Sequence, residues 1–197
     1  MTDRRTLLLA GVAACCLVGL RPAQAETAPE FVIGSPDAPV TMVEYASLTC
    51  PHCASFHNET LPKLKEKYID TGKVKLIYRD FPLDEAALTA AILARCAGPE
   101  RGPTFLSAFF QSQDRWAVAE DPQASLRQLA KVGGLSDERI DACLADKELG
   151  DSILQMRLDA EQEHSIQSTP SFLINGKLYA GNAGIDGFTE ILEPLVN

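Results

Sequence analysis

The stretch Val40-Thr41-Met42-Val43-Glu44-Tyr45-Ala46-Ser47-Leu48-Thr49-Cys50-Pro51-His52-Cys53 decides how the rest of the chain is read. Its first seven residues are β-branched, aromatic or apolar and read as a strand. After Cys53, the residues Ala54, Phe56, Leu61, Leu64 and Tyr68 recur at mostly helical spacing. Two cysteines therefore stand where a strand ends and a helix begins. At a helix N-terminus, unpaired backbone N–H groups and the helix dipole favour negative charge. The pattern predicts a Cys50 pKa below that of a free thiol, with His52 as a further donor, or a cation when protonated. Pro51 suits a first helical turn, where its missing N–H costs nothing.

Outward from this point, Pro62 falls inside the helical pattern and is expected to kink it. Thr71-Gly72 end the helix, and residues 73–81 read as a second strand. Strand, helix, strand in this order predicts a parallel βαβ unit with a right-handed crossover. Phe31-Val32-Ile33 is a possible edge strand before it. From Asp84 to about Ser165 the pattern is helical, with five expected helices and no strand signal. Strands resume at Ser171-Phe172-Leu173-Ile174 and Lys177-Leu178-Tyr179-Ala180 around Asn175-Gly176, the strongest short hairpin signal. Residues 186–196 close the chain as an amphipathic helix. The expected divisions are residues 26–83 and 166–197 for an α/β domain in two parts, with residues 84–165 as a helical insertion.

The chain has 197 residues, 46% of them hydrophobic, enough for a core that needs no disulfides to replace it. A net charge of −9 without any basic run argues against nucleic acid as a partner. Residues 1–25 read as a cleaved export signal: Arg4-Arg5, an apolar run to Leu20, then Ala23-Gln24-Ala25. The arginine pair also fits a twin-arginine route. Cleavage takes the net charge from −9 to −11 and leaves Cys50, Cys53, Cys96 and Cys143. Four cysteines in an exported chain point to an oxidising compartment, the periplasm.

A Cys-Pro-x-Cys pair is also half of many zinc knuckles. Here no second Cys-x-x-Cys follows, and what comes after Cys53 is a helix, not a hairpin. A covalent haem needs His after the second cysteine, and position 54 is Ala. Redox chemistry at Cys50 and Cys53 is the reading that remains, with no metal and no cofactor expected. A non-catalytic zinc-binding or chaperone module is the rival from another class.

Cys50-Pro51-His52-Cys53 after a strand, the helical insertion, and Thr169-Pro170 before a terminal hairpin and helix together resemble the DsbA family of thiol-disulfide oxidoreductases. The resemblance spans residues 31–197. It implies a thioredoxin fold interrupted by an inserted all-helical domain, with the cysteines at their junction. A low-pKa, strongly oxidising cysteine is a known property of that family, so the electrostatic reading agrees with a known case and did not predict it. The resemblance makes Thr169-Pro170 a cis-proline pair that offers backbone to a substrate peptide. It makes Glu44 the buried acid that helps to move the Cys53 proton. The family's partner lysine falls at Leu76, with Lys75 and Arg79 as substitutes.

The resemblance further implies unfolded exported proteins as substrates, reoxidation by a quinone-linked DsbB-like membrane partner, and a monomer. An isomerase or reductase of the same fold is the nearest alternative. Cys96 and Cys143 fall on apolar faces of insertion helices; a structural disulfide is expected, two buried free thiols being the other reading. His57 and His164 have no assignable chemistry and read as surface or helix-packing residues. Trp116 reads as core.

Overall fold

A computed structural model describes residues 30–196. The expected export signal at residues 1–25 lies outside them. Edge strand β1 (Phe31–Ile33) leads to β2 (Val40–Ala46), and β3 (Val74–Asp80) runs parallel beside β2 after a helical crossover. Strands β4 (Ser171–Ile174) and β5 (Lys177–Ala180) complete a five-stranded sheet in the order β1-β3-β2-β4-β5. β2 is thus central, flanked by β3 in parallel and β4 antiparallel. The β4–β5 turn places Asn175 at φ 46° and Gly176 at φ 83°, the two positive values that Asn-Gly supplies cheaply. The α/β class expected from the sequence, with helices between β3 and β4, is what the chain adopts.

The crossover helix starts as α1 (Pro51–Ser55) and passes through α2 (Leu61–Leu64). Two π-helical turns, Phe56–Thr60 and Lys65–Ile69, flank α2. Pro62, expected to kink the helix, sits in the first turn of α2, just past the first π turn, where the regular α-helix is interrupted. The wider turn bonds Leu61 N–H to Phe56 O and spares the chain the collision that proline makes with an α-helical carbonyl four residues back.

Between β3 and β4 lie six helices: α3 (Glu85–Cys96), α4 (Gly102–Gln111), α5 (Gln113–Trp116), α6 (Pro122–Val132), α7 (Asp137–Leu144) and α8 (Lys147–His164). The sequence predicts five; α5, of four residues, is too short to leave a periodic pattern. Helix α6 also begins before its expected start at Ser125, because Asp121 accepts from Ala124 N–H at 2.9 Å and Pro122 fills the first turn. Asp84, Ser136 and Asp146 cap α3, α7 and α8 in the same way. The C-terminal helix α9 spans Gly184–Val196.

Alternation along β2 sends Val40, Met42, Glu44 and Ala46 to one face and Thr41, Val43 and Tyr45 to the other. The first face packs on Phe56, Leu64, Tyr68, Phe188 and Leu192 of the crossover helix and α9. The second packs on Ala160 of α8 together with Phe81 and Ile166. A third cluster fills the insertion, and Leu48, Cys50 and Cys53 belong to it, beside Phe109, Phe110 and Trp116. The cysteine loop is therefore part of the insertion's core. Trp116 is buried there, its indole N–H donating to Phe109 O at 2.8 Å. An ion pair between Asp80 and Arg95, at 2.8 Å and almost without exposure, ties β3 to α3.

Candidate active site at the cysteine pair

Cys50 is the N-cap of α1, with extended backbone at φ −80° and ψ 119°, and Pro51 opens the helix behind it. Its carbonyl accepts from the N–H groups of Cys53 and Ala54, both at 3.1 Å. The insertion grips this loop from two sides. Gln113 Nε2 donates to Leu48 O at 2.8 Å and to Cys50 O at 3.1 Å. Thr49 Oγ1 donates to Asp84 Oδ2 at 2.7 Å while the other oxygen of Asp84 caps α3. Beside Cys50, a groove of about 460 Å³ is lined by Thr49, Pro51, Asp84, Gln113 and the exposed Val118, among others.

The two thiols have opposite ionisation. The Cys53 thiol donates to Cys50, and this bond is the largest influence holding the Cys50 pKa down to about 5, against burial, which raises it. Thr169 and the backbone N–H groups of Cys53 and His52 add to the lowering. Cys53 is fully buried, and desolvation pushes its pKa far up, helped by its bond to Cys50 and by the Glu44 carboxylate. His52 is exposed, and among the described residues its ring has no hydrogen-bond partner. Its part in lowering the Cys50 pKa comes through its N–H group.

The Thr169–Pro170 peptide is cis. It lies against the cysteines, with Cys50 Sγ–H donating to Thr169 O at 3.3 Å. The Thr169 hydroxyl is buried and otherwise unpartnered among the described residues.

Glu44 is fully buried and stands in register with Tyr78 of β3 and Phe172 of β4. Neither substitute partner reaches it. Lys75 Nζ donates to Pro36 O at 2.8 Å, Arg79 pairs with Glu30 and donates to Tyr45 Oη, and Leu76 is an apolar core residue. The partner is His57, whose Nε2 lies 2.9 and 3.1 Å from the two carboxylate oxygens. The imidazole stacks on Phe110 at 4.0 Å and meets Phe56 and Tyr78 edge-on. Of the two readings of His57, packing rather than surface is the one the chain adopts, and its contact with the Glu44 carboxylate is what the sequence reading missed. Two signals were available: Glu44 is in phase with Val40 and Met42, and His57 follows Cys53 by one helical turn. His164 packs near Tyr45, their rings 6.1 Å apart.

Cys96 and Cys143 form a disulfide between the end of α3 and α7, with S–S 1.93 Å. Among the described residues, no group of three His, Cys, Asp or Glu side chains is placed to hold a metal ion.

A family model described as thioredoxin matches residues 26–194. A Rickettsia prowazekii relative, named a protein-disulfide oxidoreductase, is 37% identical over 166 residues, covering 83% of this chain and 60% of its own length. The chain thus spans about 60% of the length of the Rickettsia relatives it matches. Among solved structures, alpha-DsbA1 of Wolbachia pipientis is 36% identical with a TM-score of 0.80, covering 85% of this chain and 90% of that one. BdbD of Bacillus subtilis is 27% identical with a TM-score of 0.70, covering 85% and 92%. With the cysteine pair at the strand–helix junction and helices inserted between β3 and β4, the chain belongs to the DsbA-like thiol-disulfide oxidoreductases of the thioredoxin family.

Proposed function

We propose that the chain is an exported protein dithiol oxidase that passes a Cys50–Cys53 disulfide to unfolded proteins in the periplasm. The observation that carries this reading is the split ionisation of the pair, with Cys50 at about 5 and Cys53 pushed far up. At pH 7 a thiol with that pKa is ionised about a hundred to one. Only the reduced enzyme has a thiolate to stabilise, so the disulfide is the less favoured state and a ready oxidant.

A substrate thiolate attacks Cys50 Sγ, the Cys50–Cys53 bond breaks, and Cys53 leaves. A second substrate thiolate then attacks the substrate sulfur of the mixed disulfide, and Cys50 departs as a stabilised thiolate. The substrate leaves oxidised and the enzyme reduced. The Thr169–Pro170 segment offers backbone to the substrate as a short added strand. Glu44 exchanges a proton with Cys53. The Cys96–Cys143 bridge has a structural role. A quinone-linked membrane partner of the DsbB type reoxidises the pair, and the enzyme works as a monomer. The export signal is cut after Ala25.

The test is oxidation of a reduced, unfolded ribonuclease by the oxidised protein. Stoichiometric disulfide transfer is expected, abolished in Cys50→Ser; transfer that persists in the variant overturns the mechanism. A Cys50–Cys53 potential as reducing as that of a cytosolic thioredoxin, about −270 mV, overturns the oxidase direction. Mass analysis of protein recovered from a bacterial periplasm is expected to find Glu26 at the N-terminus.

A further inference from the structure

Breaking the Cys50–Cys53 bond leaves an electron pair on a sulfur with no exposure, near enough to Glu44 to feel its charge. An anion there is held away from water beside a like charge, so Cys53 must gain a proton as it leaves. An ionised carboxylate has none to give.

The groups around Glu44 narrow the source. From β3 come the Tyr78 phenol and, beyond it, Asp80, which is engaged by Arg95 of α3. Tyr78 is fully buried, which disfavours its ionised form, and its hydroxyl is directed to Ala46 O. Phe172 of β4 and Phe110 of α4 do not titrate. The crossover helix supplies Cys53 itself and His57. The His57 side chain is only 4% exposed, spans both Glu44 oxygens, and is held by three aromatic rings. An imidazole is the side chain that exchanges a proton in the working pH range of such an enzyme.

We propose that His57 is the positioning residue of Glu44 and the reservoir of the proton that Cys53 takes up. Before attack one proton lies between His57 Nε2 and the Glu44 carboxylate, as their 2.9 Å contact requires. The substrate thiolate forms a bond to Cys50 Sγ as the Cys50–Cys53 bond breaks. Cys53 is reduced, the substrate sulfur is oxidised, and the proton passes from His57 through Glu44 to Cys53. The charge that arrived on the substrate thiolate ends on the pair, which solvent then reprotonates. In reoxidation the same path runs backwards. The inference rests on the oxidoreductase reading above and adds to it the origin of the proton.

The test is the rate at which reduced glutathione attacks the oxidised protein, followed by acid quenching between about pH 5 and 8 and divided by the thiolate concentration. The wild-type normalised rate is expected to fall as pH rises and the pair empties. His57→Gln is expected to flatten that limb and to slow the acid-side rate about tenfold or more. His57→Lys is expected to restore the rate without the limb. Glu44→Gln combined with His57→Gln is expected to cost no more than either alone, since both serve one transfer. An unchanged profile in His57→Gln, or a uniform slowing at every pH, overturns the proposal. If His57→Gln does not fold, imidazole nitrogen shifts in the wild-type protein carry the test. Shifts that respond to pH support it, and a ring fixed in one form overturns it. Failure of glutathione to attack the wild-type disulfide at all sinks the oxidoreductase reading instead.

Discussion

Cys50 Sγ and the carbonyl oxygen of Thr169 stand 3.3 Å apart although 119 residues separate them. Only the thiol can donate to that carbonyl. Once Cys50 ionises, its support passes to the Cys53 thiol, to Thr169, and to the backbone N–H groups of Cys53 and His52.

Thiolate absorbance at 240 nm is therefore expected to titrate with a midpoint of about 5 in the reduced protein. Cys53→Ala removes the largest support and is expected to raise the midpoint most. Thr169→Val removes a smaller one and is expected to raise it by about one unit. Equal midpoints in the three proteins contradict this assignment.

The same ionisation couples stability to pH. Cys50 has a depressed pKa in the folded, reduced state, about 5 against 9.0 for a free thiol. Its stabilisation is full above the higher value, declines as pH falls between the two, and is gone below the lower. Calorimetry under reducing conditions is expected to find wild type melting above Cys50→Ser at pH 8, with the gap closing near pH 5. A gap that widens on acidification has the wrong sign.

Gln113 holds two loop carbonyls with one side-chain amide. Gln113→Leu keeps the bulk, strips Leu48 O of its donor and leaves Cys50 O with only its two backbone donors, at a cost of about 1–3 kcal/mol. Urea unfolding reads the loss, and faster amide exchange confined to residues 48–54 locates it.

Arg95 neutralises a buried carboxylate, that of Asp80. Arg95→Leu is expected to destabilise by about 3–5 kcal/mol, because Asp80 is left charged in the core. Adding Asp80→Asn is expected to recover part of that loss in a double-mutant cycle.

The Cys96–Cys143 bridge closes a loop of 47 residues. Chain entropy gives it about 4 kcal/mol of stabilisation, which Cys96→Ala with Cys143→Ala is expected to forfeit in urea unfolding. Alkylation of the unfolded protein without reductant is expected to leave both sites unmodified; carbamidomethyl on both rejects the bridge.

Legibility followed the range of the interactions. The strands around the cysteines, the caps at Asp84 and Ser136, and the Asn175-Gly176 turn were readable because they are local: alternation, helical spacing and two positive φ values are written in adjacent residues. Helix α5 leaves no signal because one turn carries no period, and the π turn before Pro62 leaves none because it depends on packing around it. The partner of Glu44 is none of the β3 residues Lys75, Leu76 or Arg79 but His57 of the crossover helix, a contact that no local pattern encodes.

The sequence by itself determined the α/β order, the helical insertion, and the placing of Cys50 at a helix start, where backbone donors favour a thiolate whatever lies beyond. Tertiary structure alone decided which groups surround each sulfur. It brought Thr169 to Cys50, buried Cys53 beside Glu44, and set His57 rather than a lysine against that carboxylate. Those choices come from packing among β2, β3, the crossover helix and α4, where burial and short-range charge depend on neighbours far apart in the chain.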